Sequence, residues 1–153
     1  MGDYLAREGG VLANSVVSSR FLGRIAEARG AQWKTTLTGF KWIARTPGLS
    51  FGYEEAIGYC CDPEAVADKD GISAAVTVAC AAAELKSAGK NLQDRLDELA
   101  NELGTYKTKP LTFRFDDITR IAPVLQEVLQ TPPAYLAGSC LLYTSDAADE
   151  GLG

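Results

Sequence analysis

Apolar and polar positions along the chain change period several times, and each change marks an element. Val11–Val17, "VLANSVV", is a β-branched apolar run suited to a strand buried on both faces of a parallel sheet. Before it, "GDYLARE" reads as a short helix ending at Gly9-Gly10. After it, "SSRFLGRIAEARG" predicts a helix with Ser18 or Ser19 as N-cap and Gly30 as its stop. "AQWKTTL" predicts a second strand, and "FKWIAR" a short helix ended by Pro47-Gly48. "LSFGY" and "AIGYCC" are two strand-like runs with the adjacent acids Glu54 and Glu55 between them. "DPEAVADKDG" is loop, with Asp70-Gly71 a turn and helix-start signal. The alanine-rich stretch from Ile72 to Leu85 predicts a buried helix. "NLQDRLDELANELG" predicts an amphipathic one, with Leu92, Leu96, Leu99 and Leu103 on one side.

Strand, helix, strand, helix at this rhythm argues an α/β fold. The expected architecture is a three-layer sandwich: a mixed, mostly parallel sheet covered by helices on both faces. Beyond Gly104 the pattern changes. "YKTKPLTFRFDD" predicts a strand with Leu111, Phe113 and Phe115 alternating on one face, and "ITRIAPVLQEVLQTPP" a helix that tolerates Pro123 in its first turn. These read as the opening strand and helix of a second, α+β domain. "CLLYTSDAADE", Cys140 to Glu150, matches the in-frame translation of a transposase adapter used in sequencing libraries. The expected organisation is therefore a first domain over residues 1–106, a truncated start of a second over 107–138, and a non-native tail over 139–153. Met1 then stands as an internal methionine.

Composition narrows the function classes. The chain is 46% hydrophobic and 23% charged, which is ordinary for a globular domain, and no apolar run is long enough to span a membrane. The net charge is −5, of which Asp146, Asp149 and Glu150 contribute three charges, leaving −2 on residues 1–139. No basic stripe is visible, so neither nucleic acid nor a membrane surface is an expected partner. The chain has no histidine, and its four cysteines show no metal-ligand spacing. Histidine triads and most transition-metal sites are thereby excluded, and reduced cysteines in a cytoplasmic protein are expected.

Three stretches place glycine beside polar groups at strand-to-loop ends: Thr38-Gly39-Phe40-Lys41, Gly52-Tyr53-Glu54-Glu55 and Asp68-Lys69-Asp70-Gly71. Ligands of open α/β sheets bind at the ends of strands. Carboxylates accept hydrogen bonds from sugar hydroxyls, and an ammonium meets a phosphate. Taken singly, each stretch has a plainer reading: a solvated acidic corner, a turn with its cap, and a strand end with core aromatics. Adjacent strand residues point to opposite faces, so Glu54 and Glu55 make a poor acid–base pair for glycoside or metal-dependent hydrolysis.

The ordered set "TGFKWIA", "FGYEEAIGY", "DKDG" resembles the α-D-phosphohexomutase family of phosphoglucomutases and phosphomannomutases, over essentially all of residues 1–138. The resemblance implies a four-domain intramolecular phosphotransferase that interconverts hexose 1-phosphate and hexose 6-phosphate. This chain would be the third, sugar-recognition domain and the start of the fourth. It implies substrate-binding roles for Thr38, Gly39, Glu54, Glu55 and Lys69, with Glu54 facing the sugar and Lys69 near a phosphate. It places the phosphoserine loop, the Mg2+ loop and the phosphate-binding loop in other domains, so no catalytic or metal-binding residue is expected here. Mg2+ and a bisphosphorylated sugar activator belong to the full-length family, and the expected partners are the phosphosugar and the missing domains of the same chain. Ala56 stands where many relatives carry serine, which keeps a phosphopentomutase-type member open. A non-catalytic module binding a sugar phosphate or a partner protein is the remaining alternative.

Overall fold

The computed structural model describes residues 1–55, 58–108, 112–136 and 139–140. The chain divides into two compact units, Met1–Lys109 and Pro110–Gly153. The first opens with helix α1 (Gly2–Leu5), continued by a 3-10 turn, Ala6–Glu8. Then follow β1 (Val11–Ser15), α2 (Phe21–Arg29), β2 (Gln32–Thr36), α3 (Phe40–Ile43), β3 (Leu49–Glu54), β4 (Gly58–Cys60), α4 (Gly71–Ser87) and α5 (Leu92–Leu103).

The sheet order is β2-β1-β3-β4. β1 is parallel to both β2 and β3, and β4 returns antiparallel to β3. Every residue of β1 is buried, as expected of a central strand covered on both faces. Leu12 and Phe51 join Leu22, Ile25 and Ala26 of α2 on one face. Ala13 and Cys60 join Phe40 and Ile43 of α3 on the other. Helices thus cover both faces of a mixed sheet, as the sequence pattern predicts. The vicinal Cys60 and Cys61 are free thiols that fall into the two different clusters. Burial pushes the Cys60 thiol up to about 11 and raises Cys61 as well.

Several expectations are corrected. β1 stops at Ser15, and Val16 and Val17 stand exposed, because the chain has passed the end of the sheet and is turning. Helix α2 begins at Phe21 rather than straight after Ser18 or Ser19. The Ser18 hydroxyl is drawn to Ser15 and Glu55, while the Ser19 hydroxyl accepts the Phe21 N–H at 3.1 Å. Gly30 does stop the helix in the left-handed conformation, φ 69°. The alanine-rich helix α4 is not buried: Ala74 is its one buried residue, while Ile72 is 79% and Val76 58% exposed. Its 17 residues span about 25 Å. Within the first unit it packs chiefly on the three-residue edge strand β4 and on α5, which leaves most of its surface uncovered. In α5, capped by a reciprocal Asn91–Asp94 box, Leu99 is buried but Leu96 is half exposed.

In the second unit, a 3-10 turn (Ile118–Arg120) leads into α6 (Ile121–Gln130), with Pro123 in its first turn. Thr112–Phe115 is not a strand, and Phe113 is 70% exposed, because no described segment pairs with it and an unpaired strand does not hold. Tyr135–Leu136 (β5) and Ser139–Cys140 (β6) form a two-residue antiparallel pair. The adapter-like residues from 141 onward lie outside the described residues. Among the described residues no single helix is long and apolar enough to cross a membrane.

One charged hub ties three helices together. Asp3 of α1, 6% exposed, accepts from Arg29 of α2 at 2.9 Å and from Arg95 of α5 at 3.0 Å. Arg29 makes a bidentate fork with Glu102 at 2.7 and 3.0 Å, and Arg95 reaches Glu98 at 3.0 Å. Glu102 first, and Asp3 after it, raise the Arg29 guanidinium above its ordinary value. Removing one member of a fully buried pair costs about 3–5 kcal/mol. The arginine side chains are 20% and 24% exposed, which calls for a smaller figure. Asp3→Asn is expected to lower stability by roughly 2 kcal/mol, seen as a lower urea midpoint by circular dichroism. An unchanged midpoint would show that the hub carries no stability.

Candidate functional site

The site is built from the end of one strand. Along β3, Phe51 packs with Leu12 on the α2 face, and Gly52 presents its other side to Ile43 of α3, whose Cγ2 lies 2.4 Å from where a Cβ would be. The alternation sends Glu54 to the α3 face and Glu55, at the start of the turn, to the α2 face. The adjacent acids therefore meet different partners.

Glu54 is largely buried, its side chain 15% exposed, and its Oε1 accepts from Lys69 Nζ at 3.1 Å. The same ammonium lies 4.6 Å from the centre of the Phe40 ring, a cation–π contact that fixes its direction. The Lys69 backbone is fixed too. The Asp70 N–H donates to Tyr59 O of β4 at 2.8 Å, and the Asp70 carboxylate caps α4 by accepting from the Ile72 and Ser73 N–H groups. The Ser73 hydroxyl, then the two N–H groups, hold the Asp70 carboxyl below its ordinary value. Gly58 makes the approach possible: a Cβ there would lie 1.7 Å from Lys69 Cδ and 2.3 Å from Cγ. The stem of Lys69 occupies the space where any other residue at position 58 would put its side chain.

Glu55, exposed, turns the other way. Its Oε1 accepts the Ser19 N–H at 3.1 Å, and its Oε2 accepts from the Ser18 hydroxyl, which also contacts the Ser15 hydroxyl at 2.9 Å. This ties the β3–β4 hairpin to the loop between β1 and α2. Burial, the largest influence, pushes the neighbouring Tyr53 phenol up. The Asn14 amide opposes it, and Glu55 adds to it.

Of the five residues singled out by sequence, Glu54 and Lys69 meet directly, and Gly39 is joined to them through Phe40. Gly39 takes φ 108° ahead of α3 and sets Phe40 beneath the ammonium. Thr38 is exposed and adjoins the group through its neighbour Gly39. Glu55 sits beside them but faces away. Ser18 and Ser19, read only as caps, and Gly58, read only as strand, complete the arrangement. No local pattern pairs residues thirty-six apart. A carboxylate and an ammonium at the open end of a strand make a grip for a hydroxylated, anionic ligand. A separate cavity of about 550 Å³, lined by Met1, Val78, Leu85 and Leu96 and by the charged Asp3 and Glu84 among others, reaches neither Glu54 nor Glu55. Among the described residues no three Asp, Glu, Cys or His side chains converge.

A family model described as phosphoglucomutase/phosphomannomutase, alpha/beta/alpha domain III, matches residues 1–103. A Haemophilus influenzae protein named as a phosphomannomutase is 43% identical over 142 residues, which is 90% of this chain and 29% of that one. A Homo sapiens phosphopentomutase is 37% identical, covering 76% of this chain and 20% of its own length. A Staphylococcus haemolyticus phosphoglucomutase is 31% identical, covering 89% and 26%. The crystal structure of a Thermus thermophilus protein named as a phosphomannomutase shares the fold, with a TM-score of 0.56 at 24% identity over 78% of this chain and 28% of that one. The chain thus spans less than a third of the length of each of these relatives. It belongs to the phosphoglucomutase/phosphomannomutase family, and residues 1–103 match that family's α/β/α domain III.

Proposed function

We propose that this domain is the sugar-recognition part of an intramolecular phosphotransferase that interconverts hexose 1-phosphate and hexose 6-phosphate. The observation that carries the reading is the Glu54–Lys69 pair: a carboxylate and an ammonium fixed side by side at the open end of the sheet. One Glu54 oxygen is engaged by Lys69, and the carboxylate keeps acceptor capacity for sugar hydroxyls. Lys69 spends one of its three N–H donors on Glu54 and has others for a phosphate. Thr38 and Gly39 border the same corner, and Glu55 holds the hairpin in place from the far side.

Phosphoryl transfer is largely positioning and charge neutralisation. A bisphosphorylated sugar that must turn over needs hydroxyl acceptors usable in either orientation, and a carboxylate supplies them. The nucleophile and the divalent metal that neutralises the transferring phosphoryl group belong, on this reading, to other domains of the full-length enzyme. The second reading, a phosphopentomutase, is favoured by the human relative, and Ala56, where many relatives carry serine, leaves the choice between hexose and pentose open.

The 153-residue chain alone is expected to show no turnover of glucose 1-phosphate or mannose 1-phosphate in a coupled assay. Measurable turnover would place the chemistry on this chain. The recognition role is tested in the Haemophilus influenzae relative with residues 1–103 exchanged for its matching segment. Glu54→Gln in that chimera is expected to lower kcat/KM about tenfold or more, the loss of a charged hydrogen bond, with unchanged circular dichroism. Kinetics equal to the parent chimera would remove Glu54 from the site. Comparing ribose 1-phosphate with the hexose phosphates in the same chimera separates the two substrate readings. Gly58→Ala is expected to displace Lys69 and raise its rate of modification by an amine-reactive ester, read by peptide mass spectrometry. An unchanged rate would show that Lys69 does not depend on the missing side chain.

A further inference from the structure

Asn14 is a fully buried polar side chain one residue before the end of β1, 0% exposed. Its amide is used on three sides. Trp33 of β2 donates its indole N–H to Oδ1 at 3.0 Å. The Nδ2 group donates to the Ser19 carbonyl at 3.0 Å and stands 3.5 Å from the Tyr53 hydroxyl. Asn14 and Tyr53 are direct partners across the β1–β3 ladder. The Ser19 residue is therefore held at both ends, its carbonyl by Asn14 from below and its N–H by Glu55 from the rim.

We infer that Asn14 is a positioning residue for the recognition hairpin: by holding the Ser19 carbonyl it aims the Ser19 N–H that fixes Glu55. The inference rests on the sugar-recognition reading for its purpose, though not for its geometry. An amide is the side chain the position requires, because it must accept from an indole and donate to a carbonyl at once. An ionised carboxylate of the same shape keeps the acceptor for Trp33 but turns an oxygen toward the Ser19 carbonyl. Protonated, its O–H donates there as the amide does, so the spectra are read at a pH where the carboxyl is ionised. A plain packing role would ask only for volume and a satisfied indole. It would leave Ser19 and Glu55 indifferent to the swap.

The experiment is amide NMR on the labelled 153-residue chain carrying Asn14→Asp. The Trp33 indole N–H resonance is expected to stay in its hydrogen-bonded position. The Ser19 and Glu55 amide resonances are expected to move, with Ser19 exchange rising about tenfold, the loss of one buried hydrogen bond. A folded variant with unchanged Ser19 and Glu55 resonances and unchanged Ser19 exchange overturns the inference. Should the variant not fold, Glu55→Gln on the exposed rim reads the same coupling from the other end. It is expected to shift the Asn14 side-chain amide resonances, and unmoved resonances in that variant overturn the inference equally. Neither readout needs a phosphosugar, so the coupling stands or falls apart from the substrate reading, which the Glu54→Gln kinetics test separately.

Discussion

Side chains of an extended strand alternate between its faces, and at the end of β3 this obliges two adjacent carboxylates to part. Most of the corner follows from that one constraint. Glu54 is carried to the side covered by α3, where an aromatic ring and an ammonium receive it. Glu55 is carried to the side covered by α2, where a hydroxyl and a backbone N–H receive it. Two like charges in sequence would repel if both faced one pocket. Each instead finds its own counter-group, and the hairpin is clamped to a different neighbour on each side.

The charges of this domain fall into two energetic kinds. Asp3 is buried and serves two guanidinium groups, so its removal leaves the Arg29 and Arg95 donors that face the core without their acceptor, with only the outer carboxylates Glu102 and Glu98 to meet them. The Glu54–Lys69 pair lies at the edge, with the Lys69 side chain 40% exposed and its stem packed against Gly58. Water reaches it and weakens its net contribution to stability. A pair of this second kind can exchange partners when a ligand arrives, which a buried hub cannot do cheaply. Lysine suits that position better than arginine: a single ammonium on a flexible stem can keep one hydrogen bond and offer another.

Much of the scaffold was legible because it is local. The apolar run of β1 announces burial on both faces, Gly30 the left-handed stop, and Asp70 the cap of α4. The failures share a different cause. The apolar composition of α4 says that the helix can be buried, but whether it is depends on how much sheet lies beneath it, and β4 is three residues long. Alternation in Leu111, Phe113 and Phe115 says that a strand can form, but a strand needs a partner to pair with. Thr112–Phe115, the described part of that run, finds none among the described residues. At the site, Glu54 and Lys69 stand out as charges beside glycines. Ser18, Ser19 and Asn14 look like an ordinary cap and an ordinary interruption of a strand, since what distinguishes them is the residue brought against them by the sheet.

The sheet also explains why one buried amide can bear on a rim carboxylate. β1 is the strand shared by β2 and β3, so a side chain on it touches Trp33 on one side and Tyr53 on the other. β2 runs on to Thr38-Gly39, and β3 runs on to Glu54-Glu55. Asn14 stands in register with Thr35 of β2 and Tyr53 of β3, and a satisfied amide there has one geometry in which all its partners are met. An apolar residue would pack in more than one way. The free energy spent on burying Asn14 is then returned as a fixed relation between the loop that follows β1, held at Ser19, and the β3–β4 hairpin, held at Glu55.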